Sequence, residues 1–197
     1  MQSGLLNRFG VWVILLLSVS TVMGQISLGP NTHDPIIIIA PTFNYLYSTH
    51  STKFQGFGLN CSTQLNGRLE VGLGTDLIDC PYHHDNGLEL YHLKLVPIYG
   101  LLNYKYWGNR IWQPYAKVAI GITFMDYKEQ NLAIGPELTR KSERGLNAYA
   151  GVGTRAHLAK SVEVFLDAGL TGYKMSFRAL DINPHGIAAK TGLLFNL

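Results

Sequence analysis

The sequence predicts an all-β fold, an eight-stranded antiparallel up-and-down barrel that crosses a membrane. Apolar and polar residues alternate over stretches of about 10 residues or more, the pattern and length of a tilted strand that spans a bilayer. The links between these stretches alternate between short and long, which is typical of transmembrane barrels. Beyond the N-terminal segment, no stretch offers the roughly 18 apolar residues of a transmembrane helix.

The N-terminal segment precedes the barrel. Residues 1–24 are predicted to be a signal peptide, because Arg8 precedes a short apolar core and Val22 and Gly24 suit a cleavage site. The apolar core is too short for the alternative, a membrane anchor. We expect a polar lead-in over residues 25–34 and the transmembrane barrel over residues 35–197.

The first three predicted strands cover residues 36–47, 54–64 and 68–77. Asn66-Gly67 predicts a hairpin, with a three-residue loop 65–67 and a left-handed Gly67. The third strand alternates most regularly. Its apolar face is Leu69, Val71, Leu73, Thr75 and Leu77.

The central hairpin spans residues 90–124 and supplies strands four and five. In strand four, Tyr91, Leu93, Leu95, Pro97, Tyr99 and Leu101 share the face assigned to lipid. His92 and Lys94 are therefore predicted to point inward. Long polar loops are predicted on both sides of the hairpin, over residues 78–87 and 126–144.

The last three predicted strands cover residues 146–158, 162–173 and 186–197, with a tight turn at 159–161. Their apolar faces alternate with faces that carry glycines and charges. The even number of strands predicts that both termini lie on the same side of the membrane.

The distribution of charge decides which face is inside. Eight antiparallel strands also suit a soluble, lipocalin-like calyx, but a calyx is apolar inside and polar outside. The chain has 21 glycines and 15% charged residues, and nearly all strand charges share the glycine-rich face. An eight-stranded lumen is narrow, and glycines leave room in it for arginine and lysine side chains. The face with glycines and charges is therefore assigned to the lumen, and the apolar face to lipid.

Aromatic residues cluster at the two predicted ends of the strands, as at membrane–water interfaces. One group is Phe43, Tyr45, Tyr47, Phe57, Tyr91 and Phe124. The other is Tyr99, Tyr106, Trp107, Trp112 and Phe195.

Two motifs carry a family resemblance. The string LVPIYGLLNYKYW…WQPYAKVAIGITF resembles a hairpin of small outer-membrane β-barrel proteins, the OmpA/OmpX/OmpW-like group, and GIAAKTGLLFNL resembles their final strand. The resemblance covers residues 35–197. It departs at the end of the chain, where Leu197 stands in place of an aromatic residue. It implies an outer-membrane barrel with both termini in the periplasm, and the family includes structural, adhesion, stress-resistance and small-solute proteins.

Few residues suggest chemistry. Cys80, His83, His84 and Asp85 crowd one loop and could ligate a metal, but a solvated loop is the preferred interpretation. His50, His92 and His185 lie near the predicted outer rim, where a lipid-modifying enzyme needs its active site. Cys61 and Cys80 are predicted to be too far apart for a disulfide. No metal or cofactor is expected.

Seven residues are predicted to form an ion cluster inside the barrel. They are Arg68, Glu70, Lys117, Arg155, His157, Glu163 and Asp167. We expect His157 to pair directly with Glu163, and Arg155 to reach Glu163 and Asp167 diagonally as the hub. Buried charges must be paired, so this interior is expected to close the lumen. Separately hydrated charges in a narrow aqueous pore are the alternative.

These expectations describe a non-enzymatic, monomeric outer-membrane barrel with external loops for surface interaction or envelope integrity. The expected partners are outer-membrane lipid, lipopolysaccharide and the barrel-assembly machinery, and no nucleic acid is expected. Cations of residues 126–144 are candidates for contact with lipopolysaccharide phosphates. A lipid A acyl-transfer or deacylation enzyme and a passage for small hydrophobic solutes are the alternatives.

Overall fold

The computed structural model describes residues 36–49, 51–85, 88–106, 111–131, 138–174 and 184–197. They form eight strands: β1 (Ile37–Ser48), β2 (Lys53–Gln64), β3 (Leu69–Asp85), β4 (Leu88–Lys105), β5 (Trp112–Asn131), β6 (Leu138–Ala159), β7 (Val162–Lys174) and β8 (His185–Asn196). Each strand pairs with the next, and β8 pairs with β1 to close the barrel. The predicted fold class is confirmed. The predicted signal peptide and lead-in lie outside the described residues, and none of the described residues forms a helix long and apolar enough to cross a membrane.

The two ends of the barrel differ. At one end, which we call the terminus end, the Leu197 amide donates a hydrogen bond to the Ile37 carbonyl at 2.8 Å. The links after β2, β4 and β6 lie at this end. The opposite end, which we call the loop end, carries the links after β1, β3, β5 and β7.

The strands β3 to β6 are longer than the others, with 17, 18, 20 and 22 residues against 12 or 13. The predicted loops at 78–87 and 126–144 are therefore wrong in extent, because most of their residues continue the strands. Asp126, for example, pairs with Ser142 across β5 and β6. Outward side chains need to be apolar only where the strand contacts lipid, so the alternating pattern ends there. The backbone hydrogen bonds between the strands continue beyond that point.

The turn between β2 and β3 also differs from the prediction. The link runs over residues 65–68, and Gln64 pairs with Glu70. The Asn66 Oδ1 accepts hydrogen bonds from the amides of Arg68 and Leu69, both at 2.9 Å. This side-chain cap stabilises a longer turn, in which Gly67 is not left-handed.

The face of β4 is the reverse of the prediction. Leu93, Leu95 and Tyr99 are buried inside the barrel, whereas Lys94 is exposed on the outside. From Leu95 to Leu102 both faces of this strand are apolar, so alternation within that stretch could not distinguish lumen from lipid. A bulge interrupts the pairing with β5 between Tyr91 and Lys94, and His92 within it has a φ of 53°.

Glycines on the inner face make room for aromatic rings. A Cβ atom added to Gly74 would lie 2.5 Å from the Tyr99 ring, and one added to Gly153 would lie 2.7 Å from the Tyr115 ring. The predicted reason for these glycines was space for arginine and lysine. The structure shows that tyrosines also occupy that space, and these rings then carry the hydroxyl groups that reach the buried carboxylates.

Candidate functional site

The outer face of the barrel is apolar and uncovered. Outward-facing side chains in the middle of the strands are highly exposed, including Phe57 at 71%, Ile120 at 70% and Leu170 at 68%. Soluble monomers rarely expose apolar patches of more than a few hundred Å², whereas a transmembrane barrel has an outer apolar band about 25 Å tall. This surface is that of a barrel spanning a bilayer, and it excludes the soluble calyx.

The outward aromatic residues follow the predicted sorting with one correction. Tyr99 does not belong to either group, because it is buried in the lumen. Trp107 lies outside the described residues. The exposed members of the two predicted groups are Phe43, Tyr47, Phe57 and Phe124 toward the loop end, and Tyr106, Trp112 and Phe195 toward the terminus end. Tyr82, toward the loop end, and Tyr104, toward the terminus end, are exposed as well.

Glu70 is the centre of the first interior cluster. Its carboxylate is fully buried and accepts two hydrogen bonds from the Arg155 guanidinium, at 2.8 and 2.6 Å. The Lys105 ammonium lies 3.0 Å from the same carboxylate, and Asn103 donates to it at 3.2 Å. A two-pronged arginine–carboxylate pair is the strongest geometry for such a contact.

Asp167 is the centre of the second cluster. The hydroxyl groups of Tyr115 and Tyr149 donate to its two oxygens at 2.9 and 2.6 Å. The Lys117 ammonium lies 3.5 Å from it. The Arg155 guanidinium lies 4.8 Å from the centre of the Tyr115 ring and so connects this cluster to the first.

Asp76 is the centre of the third cluster, which the sequence did not predict. Lys190 donates to Asp76 at 3.1 Å, and the Tyr99 hydroxyl donates to it at 3.0 Å. The Lys190 ammonium also lies 5.3 Å from the centre of the Tyr149 ring, beside the Asp167 cluster. The three clusters therefore form one continuous column of buried charges.

The structure brings five of the seven predicted cluster residues into the lumen or its rim. The other two are partly or fully outside: Arg68 is exposed in the β2–β3 turn, and the His157 side chain is 47% exposed. The five buried residues are Glu70, Lys117, Arg155, Glu163 and Asp167.

The predicted pairing of His157 with Glu163 is present, with the two side chains 3.2 Å apart. Arg155 has a different partner from the predicted ones. It crosses the lumen to Glu70 on β3 instead of binding its neighbours on β7. Counting along adjacent strands misses a long side chain that spans a narrow barrel.

Some cluster residues were missed by sequence reasoning, although a signal for two of them was present in β4. Asn103 and Lys105 occupy the same alternating positions as Leu93 and Tyr99, so polar residues on that face marked it as the lumen side. The missed residues are Lys105, Lys190, Asn103, Tyr99, Tyr115 and Tyr149.

The loop-end part of the lumen is mainly apolar. Phe54, Leu90, Leu93 and Leu95 are fully buried there. The interior of this barrel thus changes along its axis from mainly ion-paired to mainly apolar. Thr123 is a buried polar residue of the loop-end part, and its hydroxyl donates to the side-chain oxygen of Asn147 at 3.2 Å. The packed cluster around these four side chains also includes Leu46, Ile78, Cys80, Met125, Tyr127, Tyr173 and Ala188.

A small cavity lies within the charged part. Its volume is about 20 Å³, and Asn103, Lys117 and Arg155 are among the residues that line it. The buried Nε of Arg155 and Oδ1 of Asn103 have no hydrogen-bond partner within the described structure. A space of this size holds about one water molecule, which is far too small for a continuous pore.

The candidate metal residues are not assembled. Cys80 is buried among apolar side chains, while the side chains of His83, His84 and Asp85 lie outside the described part. Among the described residues, no group of three or more metal-ligand side chains is present. Cys61 and Cys80 are both free thiols.

The candidate enzyme residues are also apart. His92 lies on β4 and His185 on β8, on opposite sides of the closed barrel. His50 is not among the described residues. These positions give no shared site for a nucleophile and a base, which must lie within hydrogen-bond reach of each other.

The chain is similar to solved structures in its fold, at low sequence identity. A major outer membrane protein from Thermus thermophilus aligns with a TM-score of 0.60 and 11% identity, over 84% of this chain and 100% of that one. The attachment invasion locus protein Ail of Yersinia pestis aligns at 0.51 and 13%, over 82% and 97%. Neisserial surface protein A aligns at 0.51 and 10%, over 83% and 97%.

The fold is that of the small outer-membrane barrels. No protein-family model and no curated protein matches the chain. At these identities the likeness concerns the fold, so the activity has to be argued from the side chains.

Proposed function

We propose that this chain is a non-enzymatic, monomeric outer-membrane barrel with a sealed lumen, which acts through the surface of its loop end. The observation that carries the proposal is the filled interior. Three charged clusters occupy one part of the lumen, and packed apolar side chains occupy the other. Its structural neighbours are outer-membrane proteins, which supports the same location.

The length of the strands supports an external loop end. The strands β3 to β6 continue past the apolar face as a sheet whose outward side chains are mostly polar, with Leu138 and Tyr82 as exceptions. Arg140 binds Asp126 there in a two-pronged ion pair, and Lys128 lies beside them on β5. Small barrels carry long external loops and short periplasmic turns, so we place both termini in the periplasm. Lipopolysaccharide is the proposed partner of the external surface, and the barrel-assembly machinery is the proposed route of insertion.

The sealed lumen is tested by electrical recording in planar bilayers. Purified full-length protein, shown to be folded by circular dichroism and heat-dependent gel migration, is expected to pass almost no current. Filled lumens of eight strands leave no continuous aqueous path. Stable, ion-conducting channels from folded protein would contradict the proposal.

The orientation is tested with cysteines placed at the two ends. Lys128→Cys places a thiol at the loop end, and Gly67→Cys places one in the β2–β3 turn, where no atom lies within 4 Å of the new Cβ. Both are made with Cys61 and Cys80 replaced by serine. A membrane-impermeant thiol reagent on intact cells is expected to label Lys128→Cys and to miss Gly67→Cys until the outer membrane is opened. The reverse result would show that the barrel is inverted.

The two alternatives have their own tests. A lipid-modifying enzyme would change lipid A acylation in cells with and without the gene, and we expect no change because the described histidine candidates lie on opposite sides of the barrel. Passage of small hydrophobic solutes through the lumen requires a tunnel. The packed apolar cluster at the loop end does not favour that route.

A further inference from the structure

Two cations stand side by side where the apolar outer face ends. Lys174 pairs across β6 and β7 with Leu146, which is exposed on the lipid-facing side, so Lys174 points outward. Arg144 lies two residues beyond Leu146 on the same face of β6. Diagonal neighbours of this kind are about 7–8 Å apart. Both side chains are exposed, and no carboxylate among the described residues forms an ion pair with either of them.

On the strands that precede β6, the exposed Lys94 has acidic neighbours on both sides. Lys94 on β4 lies between Asp79 on β3 and Asp126 on β5 in direct cross-strand pairs. Arg140 further neutralises Asp126 through its two-pronged contact. Asp126 is also a diagonal neighbour of Arg144, because Phe124 pairs with Arg144. Among the described outward side chains at the loop end of β5, β6 and β7, this one carboxylate faces four cations, so a surplus of positive charge remains there: Lys128, Arg140, Arg144 and Lys174.

An apolar groove lies beside this pair of cations. Its volume is about 430 Å³, and it runs over β7, β8 and β1 between Leu170, Ile187 and Tyr47, with Thr49 and His185 lining its loop-end side. These three side chains are exposed on the outer face. Lys174 is four residues from Leu170 along β7, or about 13 Å toward the loop end at the usual rise per residue. The cations therefore stand above the groove with respect to the bilayer.

We propose that this outer face binds one phosphorylated lipid of the external leaflet, with its phosphate between Arg144 and Lys174 and an acyl chain in the groove. The inference rests on the proposed function, because it requires the loop end to face the external leaflet. Charge-assisted hydrogen bonds from arginine and lysine suit a phosphate. Arg144 and Lys174 repel each other, and a phosphate bound between them would replace that repulsion with attraction. The groove adds apolar contact that a free phosphate cannot make.

The experiment measures lipid retention by native mass spectrometry of the full-length protein in detergent. The probes are bisphosphorylated lipid A and the same lipid A with both phosphates removed. The variants are the double substitution Arg144→Ala/Lys174→Ala and, as a matched control, Lys94→Ala. We expect the double variant to retain the bisphosphorylated lipid at least about tenfold less than the wild type, given the strength of contacts between charged groups. Lys94→Ala is expected to match the wild type, and the dephosphorylated lipid is expected to bind weakly to all three.

Three outcomes would overturn the inference. Equal retention by the double variant and the wild type would show that these cations do not hold the phosphate. Equal binding of the dephosphorylated lipid would show that only the apolar face is recognised. Displacement of the lipid by millimolar inorganic phosphate would indicate a site for a free anion.

Controls for folding and orientation distinguish failure of the lipid site from failure of the proposed function. All variants are first shown to fold into lipid vesicles and, when combined with Lys128→Cys, to be labelled from outside the cell. If folding and orientation hold while lipid retention is unaffected, the lipid site is wrong and the proposed function stands.

Discussion

The two halves of the lumen solve the same packing problem in opposite ways. Toward the terminus end, Glu70, Asp76 and Asp167 are held by lysine, arginine and tyrosine side chains. Toward the loop end, Phe54 and Leu93 pack with other apolar residues and need no polar partner. Removal of one charge leaves another uncompensated, whereas removal of one apolar side chain leaves a void. The halves should therefore respond differently to comparable truncations.

The largest effect is expected from Glu70→Ala. Arg155 and Lys105 would remain buried without their shared carboxylate, and breaking a buried pair in this way costs about 3–5 kcal/mol of the free energy of unfolding. Urea unfolding in lipid vesicles, followed by tryptophan fluorescence, measures the loss. Glu163→Ala is the matched control. Its partners His157 and Asn196 are both partly exposed, so water can solvate them when the carboxylate is removed, and a loss below about 1 kcal/mol is expected. If Glu70→Ala is as mild as its control, water already solvates the cluster and the halves do not differ.

Leu93→Ala tests the apolar half. Leu93 is fully buried in the loop-end cluster, and such truncations cost about 2–5 kcal/mol through lost burial and the void they leave. The same unfolding assay measures it, with Leu77→Ala on the lipid-facing side as the control. Lipid can fill the space left at position 77, so that variant should lose less. Equal losses would indicate that the loop-end half is loosely packed.

Tyr149→Phe gives the smallest of the three effects and tests how redundant the charged half is. The variant removes one hydrogen bond to Asp167, which keeps its contacts with Tyr115 and Lys117. We expect a loss of about 1–2 kcal/mol in the same unfolding assay, the range for one hydrogen bond to a charged group. A loss as large as that of Glu70→Ala would show that the Asp167 cluster behaves as a single cooperative unit.

The sequence predicted the strands and their faces wherever one face was clearly polar. Lys117, Asp167 and Arg155 point inward as their alternation indicates. The prediction was wrong for β4 because Leu93 and Ile98 lie on opposite faces and are equally apolar. Alternation of apolar and polar residues appears only where a strand separates an apolar from a polar environment. In the loop-end half both the lumen and the lipid are mainly apolar, so the pattern is weak there.

The partners of the buried charges were harder to predict than their direction. His157 and Glu163 lie on either side of the short turn between β6 and β7, so counting residues outward from the turn predicts that they pair. The pair of Arg155 and Glu70 joins β6 to β3 across the lumen. It depends on barrel diameter and strand stagger, which arise only when all eight strands have closed.

The hydrogen bond between Leu197 and Ile37 has a consequence for the order of folding. The seam between β1 and β8 joins residues from the two extremes of the described chain, such as Ile38 and Asn196. Contacts so distant in sequence carry the greatest loop-closure entropy and form slowly. Until β8 arrives, β1 and β7 each present an unpaired edge of backbone donors and acceptors, which is an aggregation hazard. The last dozen residues therefore close the barrel. A chain that lacks them would keep seven strands, but β1 and β7 could not be joined through β8.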